Sequence, residues 1–245
     1  MNFLQSKFWL YATIIYPLLF IWQGLDLTDA GFNLVQFSDF FENPERHANV
    51  LWLSNLLGAL WHESFEWLGY IGFKIAYVLN IYLMLYLVWM IIKPYDSKKI
   101  GFFALFLTLA YVTKAGGDWI SYNAFSSLFY LFVVFFIYKA YQQNSLLLYW
   151  IAGIFAGLNI FVRLPNLLDI LLIVSIIFVA YENRQLLFKA ISSYLLGYIF
   201  AIVLALSFMA MLGQYDAYIK SLTDIFGVAA DTSGHHGSGT LLKLL

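Results

Sequence analysis

The sequence predicts an all-α polytopic membrane protein, with about seven transmembrane helices and short interfacial helices in the loop after the first. Three observations carry this. Hydrophobic residues make up 62% of the 245 and charged residues 11%, against about 25% charged in soluble domains, and mean hydropathy is +0.78. Polar side chains are therefore too few to cover a water-facing surface. The charges are also clustered, leaving apolar runs, most of which can cross a hydrocarbon core of roughly 30 Å at about 1.5 Å per residue. Finally, aromatic residues form 20% of the chain, which suits a protein with Trp and Tyr at the membrane interface and Phe in helix packing.

In chain order, the apolar windows place spans at 8–22, 67–92, 100–112, 121–140, 146–162, 164–180 and 191–212. No small-x-small pattern follows the first, so it reads as an uncleaved helix rather than a signal peptide. The third is short enough to be tilted or partly enclosed by protein. Between the first two spans lies an outer loop, 23–66, with amphipathic patterning. In "GFNLVQFSDFF", Leu34, Phe37 and Phe41 recur at helical spacing while Gln36 and Asp39 fall toward the other side, the pattern of a helix lying on the membrane surface. "NVLWLSNLLGALWHESF" reads as a second such element, and "ENPERH", with Pro44, as the break between them. The outer segment 213–245 ends on "TLLKLL", which resembles the start of a further helix. The 245 residues are therefore expected to form a single transmembrane module from the N-terminal part of a longer protein.

Basic residues set the orientation. With the N-terminus cytoplasmic, the inner segments hold seven (Lys7, Lys93, Lys98, Lys99, Lys139, Arg184, Lys189) and the outer segments five (Arg46, Lys114, Arg163, Lys220, Lys243). The bias favours N-terminus inside. The loop carrying Asp26 and Asp29 is then extracytoplasmic.

Asp26 and Asp29 share a face only on a helical turn. A carboxylate just before an apolar-periodic run is a helix cap or a chemical group, and both readings stand for Asp29. Arg163, before the Pro165 break, reads as a contact to lipid headgroups, as a donor to the exposed carbonyls ending the fifth span, or as a guanidinium able to hold an anion with two parallel hydrogen bonds. Lys114 is a second candidate, against interfacial anchoring or a pair with Asp118. His235 and His236 lie in a polar loop, where adjacent histidines do not by default chelate one metal. His47 and His62 read as interface residues. Lys74 and Asp169 fall inside proposed spans, where charge is costly, so they are expected to pair with each other or, with Asn166 and Arg163, to line a cavity. The chain has no cysteine, which excludes disulfides and thiolate metal sites.

A first membrane helix, an acidic residue before Gly-aromatic in "TDAGF", and surface helices after it resemble the N-terminal module of the GT-C glycosyltransferases. "SYNAFSSLFYLFVVFF", "AGIFAGLNIFVRLPNLLDI" and "SSYLLGYIF" are similar to the transmembrane pattern of that superfamily, which includes protein O-mannosyltransferases and the aminoarabinose transferase of lipid A. The resemblance implies transfer of a sugar from a polyprenyl-phosphate donor to a hydroxyl of a lipid, glycan or protein acceptor. It also implies that Asp29 acts on the acceptor. Many members carry Asp-Glu before Gly-Tyr, whereas this chain has Ala30 in the second place, with Asp26 as the replacement partner. That departure removes the support for a metal held by adjacent acids, so no metal ligand is assigned and a divalent ion is a possibility without support. Arg163, Lys114, His235 and His236 are the candidates for the donor phosphate; Lys74, Asn166 and Asp169 are candidates for the cavity wall.

Membrane lipids are expected partners and nucleic acid is not. No nucleotide-binding glycine loop, metallohydrolase helix or serine elbow is present. Two other classes remain: a transporter or flippase for lipid-linked glycans, which would favour interrupted helices and polar groups near mid-membrane, and a noncatalytic assembly subunit. The composition and the lack of organellar signals point to a bacterial inner membrane, with the active face periplasmic or extracellular.

Overall fold

The structure is a computed structural model that describes residues 7–22, 29–43, 49–95, 101–115, 119–180 and 184–230. Every regular element among them is helical. The α-helices are α1 (Phe8–Ile15), α2 (Asp29–Ser38), α3 (Trp52–Phe65), α4 (Gly69–Ile92), α5 (Gly101–Ala115), α6 (Tyr122–Gln143), α7 (Leu146–Val162), α8 (Ile173–Ala180), α9 (Arg184–Met211) and α10 (Tyr215–Ala230).

Among the described residues, three helical stretches are long and apolar enough to cross a membrane: Trp52–Tyr95, Tyr122–Gln143 and Leu186–Met211. The other four expected spans fall on shorter apolar helical stretches among the described residues, Phe8–Leu19, Gly101–Ala110, Leu146–Val162 and Leu164–Phe178. Two of these stretches are not α-helical throughout. Pro17 opens a 3-10 turn, Tyr16–Phe20, after α1, and Pro165 opens a nine-residue 3-10 segment, Leu164–Leu172, before α8, because a residue without an N–H fits the first turn of a helix and not its interior. The 44-residue stretch would be about 66 Å long as one rod. It breaks at Phe65 and Gly69, where φ of +55° at Gly69 is a backbone region open to glycine at little cost.

The central element is α7, whose Tyr149, Ala152, Gly153, Ala156, Gly157, Asn159, Ile160, Phe161 and Val162 are buried. It turns back from α6 at Asn144, a left-handed residue with φ 49°; there the Ser145 N–H donates to the Ala140 carbonyl at 3.1 Å, the backbone closure of a helix end. On its other side α7 meets α9 backbone to backbone. A Cβ built at Gly153 would fall on the Tyr194 carbonyl, one at Gly157 on the Tyr198 carbonyl, and one at Gly197 on the Trp150 carbonyl. These reciprocal close approaches advance together along both helices, so α7 and α9 run parallel. Small residues at such spacing are how helices pack where lipid removes the hydrophobic drive between them. The opposite face of α9 exposes Leu196, Ile199, Phe200, Val203 and Leu204, a continuous apolar stripe compatible with lipid and costly in water.

Helices α2, α3 and α10 meet at one end of the bundle. Gly58 in α3 lies so close to the Phe37 ring of α2 that a Cβ would overlap it. After α9, Gly213 takes φ +69° and ends the helix. The next residue, Gln214, is buried: it accepts a hydrogen bond from the Trp52 indole at 2.7 Å and donates to the Phe40 carbonyl at 3.2 Å. One side chain thus ties the end of α2, the start of α3 and the α9–α10 turn together.

Candidate functional site

At that end a cavity of about 320 Å³ is lined by Asp29, Phe32, Asn33, Val50, Leu51, Tyr122 and Arg163. Asp29 is the first residue of α2 and is exposed; the buried Asn33 amide one turn on donates to its backbone carbonyl at 2.7 Å. Its carboxylate makes no hydrogen bond or ion pair among the described residues, so the capping bond is not realised there, while its place in the first turn complements the helix dipole.

Arg163 reaches the same cavity from the end of α7. Its backbone is extended (φ −159°, ψ 129°), which ends α7 two residues before Pro165, while its N–H still closes on the Asn159 carbonyl at 3.2 Å. The guanidinium turns onto the first turn of α6, where Nη1 donates to Asn123 Oδ1 at 3.3 Å and Cζ stands 5.4 Å from the Tyr122 ring centroid. Ser121, the N-cap of α6, makes no side-chain cap bond. The cation therefore sits beside a helix N-terminus whose first amides lack a side-chain acceptor, an arrangement that attracts anions.

A second cavity, of about 370 Å³, is lined by Met84, Ser126, Ser127, Tyr130, Leu131, Asn159, Asn166 and Asp169. Asn159, fully enclosed in α7, donates through Nδ2 to Asp169 Oδ2 at 2.6 Å. Asn166 Nδ2 lies 3.0 Å from Asn159 Oδ1 and 2.8 Å from Ser126 Oγ. The 3-10 segment that holds Asn166 and Asp169 is long for its type. Two tyrosines of α9 secure it, Tyr194 donating to the Asp169 carbonyl at 3.0 Å and Tyr198 to the Leu167 carbonyl at 3.3 Å.

Of the residues singled out in the sequence, Asp29 and Arg163 line the first cavity, and Asn166 and Asp169 the second. The expected Lys74–Asp169 pair is not formed. Lys74 is buried in α4 at 2% exposure and does not line either cavity, whereas the Asp169 carboxylate takes its hydrogen bond from Asn159. The 3-10 geometry is the reason, since it turns Asp169 toward α6 and α7. Lys114 lies in the last turn of α5. Asp26, His47, Asp118, His235 and His236 lie outside the described residues. His62 packs on Phe73 with ring centroids 5.9 Å apart. Among the described residues, no three His, Cys, Asp or Glu side chains gather as a metal site.

Sequence reading missed Asn33, Tyr122, Asn123, Ser126 and Asn159. The signal was present in "SYNAFSSLFY", where Asn123, Ser126, Ser127 and Tyr130 fall on one helical face, and in Asn159, a lone amide one turn before Arg163. Comparison of the chain with family models, characterised proteins and solved structures finds no match, so the functional reading rests on its own geometry.

Proposed function

We propose that this chain is the membrane module of a glycosyltransferase that moves a sugar from a polyprenyl phosphate to an acceptor hydroxyl on the extracytoplasmic face of a bacterial inner membrane, with a GT-C-like arrangement of seven spans and with α2 and α3 at the interface. The observation that carries this is the meeting of Asp29 and Arg163 on one cavity, although they are 134 positions apart in the chain. In the reaction, Asp29 takes the proton of the acceptor hydroxyl as that oxygen bonds to the anomeric carbon. The bond from that carbon to the phosphate oxygen breaks, and its electron pair leaves with the lipid phosphate. Arg163 and the first amides of α6 meet the growing negative charge, beside the apolar side chains of Phe32, Val50 and Leu51.

The test is transfer by the purified full chain in nanodiscs, with a radiolabelled polyprenyl-phosphate sugar and a hydroxyl acceptor. Asp29→Asn is expected to fold and to lose at least a hundredfold in rate, the scale of general-base catalysis. Arg163→Ala is expected to weaken dependence on the donor. Full activity in folded Asp29→Asn overturns the assignment of the base.

One observation favours a second reading, a flippase for lipid-linked glycans. The segment Leu164–Ala180 is interrupted, 3-10 and then α, and the interruption carries Asp169 beside a cavity, as in helices that bind substrate within a membrane. Movement of labelled donor lipid across the bilayer without sugar transfer would select it.

A further inference from the structure

The two cavities belong to one polar stripe. In a 3-10 helix residues three apart eclipse each other, so Asn166 and Asp169 lie on one face and continue the line begun by Arg163, over about 12 Å at 2.0 Å per residue. Facing them, Tyr122, Ser126 and Tyr130 follow one another at four-residue steps along α6, again over about 12 Å. The first cavity lies at its Arg163 end and the second at its Asp169 end.

Beside the hydroxyls of Ser126, Ser127 and Tyr130, the second cavity holds acceptors with no donor among the described residues. Asn159 Nδ2 is given to Asp169 Oδ2, and the Asn166 amide donates to Ser126 and Asn159. Asp169 Oδ1 and Asn166 Oδ1 then have no donor among the described residues, and both residues line the second cavity. Carboxylate and amide oxygens accept hydrogen bonds, so a matching ligand supplies O–H donors to these two atoms. Tyr130, half exposed, and the apolar Met84 and Leu131 provide a wall for a ring face. A volume near 370 Å³ lies within the range of small-molecule sites.

We infer that the second cavity reads the sugar of the donor through its hydroxyl groups, with Asp169 and Asn166 as the specificity-determining acceptors. This deepens the transferase reading and rests on it: Arg163 holds the phosphate, and the Asp169 end distinguishes one sugar from another. Asn159 is a positioning residue, since its amide holds the carboxylate with one oxygen turned away from the protein.

The experiment measures binding to the full chain in nanodiscs by calorimetry. The probes are geranyl phosphate and its mannosyl, glucosyl, galactosyl and arabinosyl esters. At least one ester is expected to bind tenfold or more tightly than bare geranyl phosphate, the scale of a hydrogen bond to a charged group. Asp169→Asn and Asn166→Ala are each expected to lose that gain while keeping their affinity for geranyl phosphate. Should Asp169→Asn fail to fold, Asn166→Ala and Ser126→Ala decide the matter. A gain that survives these substitutions, or no gain for any ester in the unmodified chain, overturns the inference. Arg163→Ala separates the two claims: unchanged binding of geranyl phosphate would reject the phosphate contact of the transferase reading and leave the sugar result to stand by itself.

Discussion

Asn159 shows how one amide organises a site. Fully enclosed in α7, it joins Asp169 to Asn166 and through Asn166 to Ser126. Replacing it with leucine keeps the branched shape in a bulkier side chain and removes both ends of that chain of bonds, leaving the Asp169 carboxylate without its donor. Buried side-chain hydrogen bonds within membranes are worth about 0.6 kcal/mol on average and up to about 1.7 kcal/mol, and the upper part of that range is expected for Asn159→Leu because a carboxylate is left behind. A thermal melt in detergent measures it. Its coupling to Asp169→Asn in a double-mutant cycle is expected to be clearly non-additive, since the two share one bond. Additive losses would mean that Asn159 acts through packing alone. The carboxylate and the guanidinium were legible in the sequence because charge is rare in so apolar a chain. Asn159 and Asn123 were not, because a single amide in a helix acquires a partner only when another helix is laid beside it.

At the scale of elements, the close contact of α7 and α9 is the feature most exposed to test. Gly153 faces the Tyr194 carbonyl, which belongs to a backbone and cannot rotate away, whereas a Cβ at Gly31 in α2 meets open space. The same Gly→Ala substitution is therefore expected to have opposite signs. At Gly31 it raises stability by about 0.8–1.0 kcal/mol through helix propensity. At Gly153 it lowers stability by about 1–3 kcal/mol, the cost of forcing a methyl into a filled interface. Melting of both variants beside the unmodified chain checks the pair, and equal shifts would sink the account of α7–α9 packing. The small residues of "AGIFAG" were visible in the sequence as a helix pattern, but their partner on α9 was not, since nothing in a spacing names the neighbour. The 3-10 segment is a different kind of gap. Read as α-helix, 164–180 sets Asn166 and Asp169 about 60° apart around the axis; wound as 3-10 they eclipse, and that difference turns two scattered polar residues into one face of a cavity.

For the whole molecule, the order of apolar windows was legible and their lengths less so, because hydropathy marks where a chain avoids water and proline decides how much of that stretch is regular α-helix. The arrangement of ends follows from packing. α6 and α7 are antiparallel across the Asn144 turn, and α7 and α9 run parallel through their glycines. Tyr122, Arg163 and Gln214 accordingly share one end of the bundle with Asp29 and Phe40, while Lys139, Arg184 and Lys189 belong to the opposite end. The rule that cytoplasmic loops are enriched in Lys and Arg is the basis for proposing that the end with the cavity is extracytoplasmic. The chain has no cysteine, so single cysteines report side without background. Gln143, exposed at the α6–α7 turn, and Asp216, exposed at the start of α10, mark the two ends. In intact cells, Asp216→Cys is expected to react with a membrane-impermeant maleimide, and Gln143→Cys to react only after the membrane is opened. The reverse pattern would turn Asp29 and Arg163 toward the cytoplasm and withdraw the proposal that they act on an extracytoplasmic acceptor. Reaction of both in intact cells would mean that α6 does not cross the membrane, and α6 is one of the three helices whose length and composition most favour crossing.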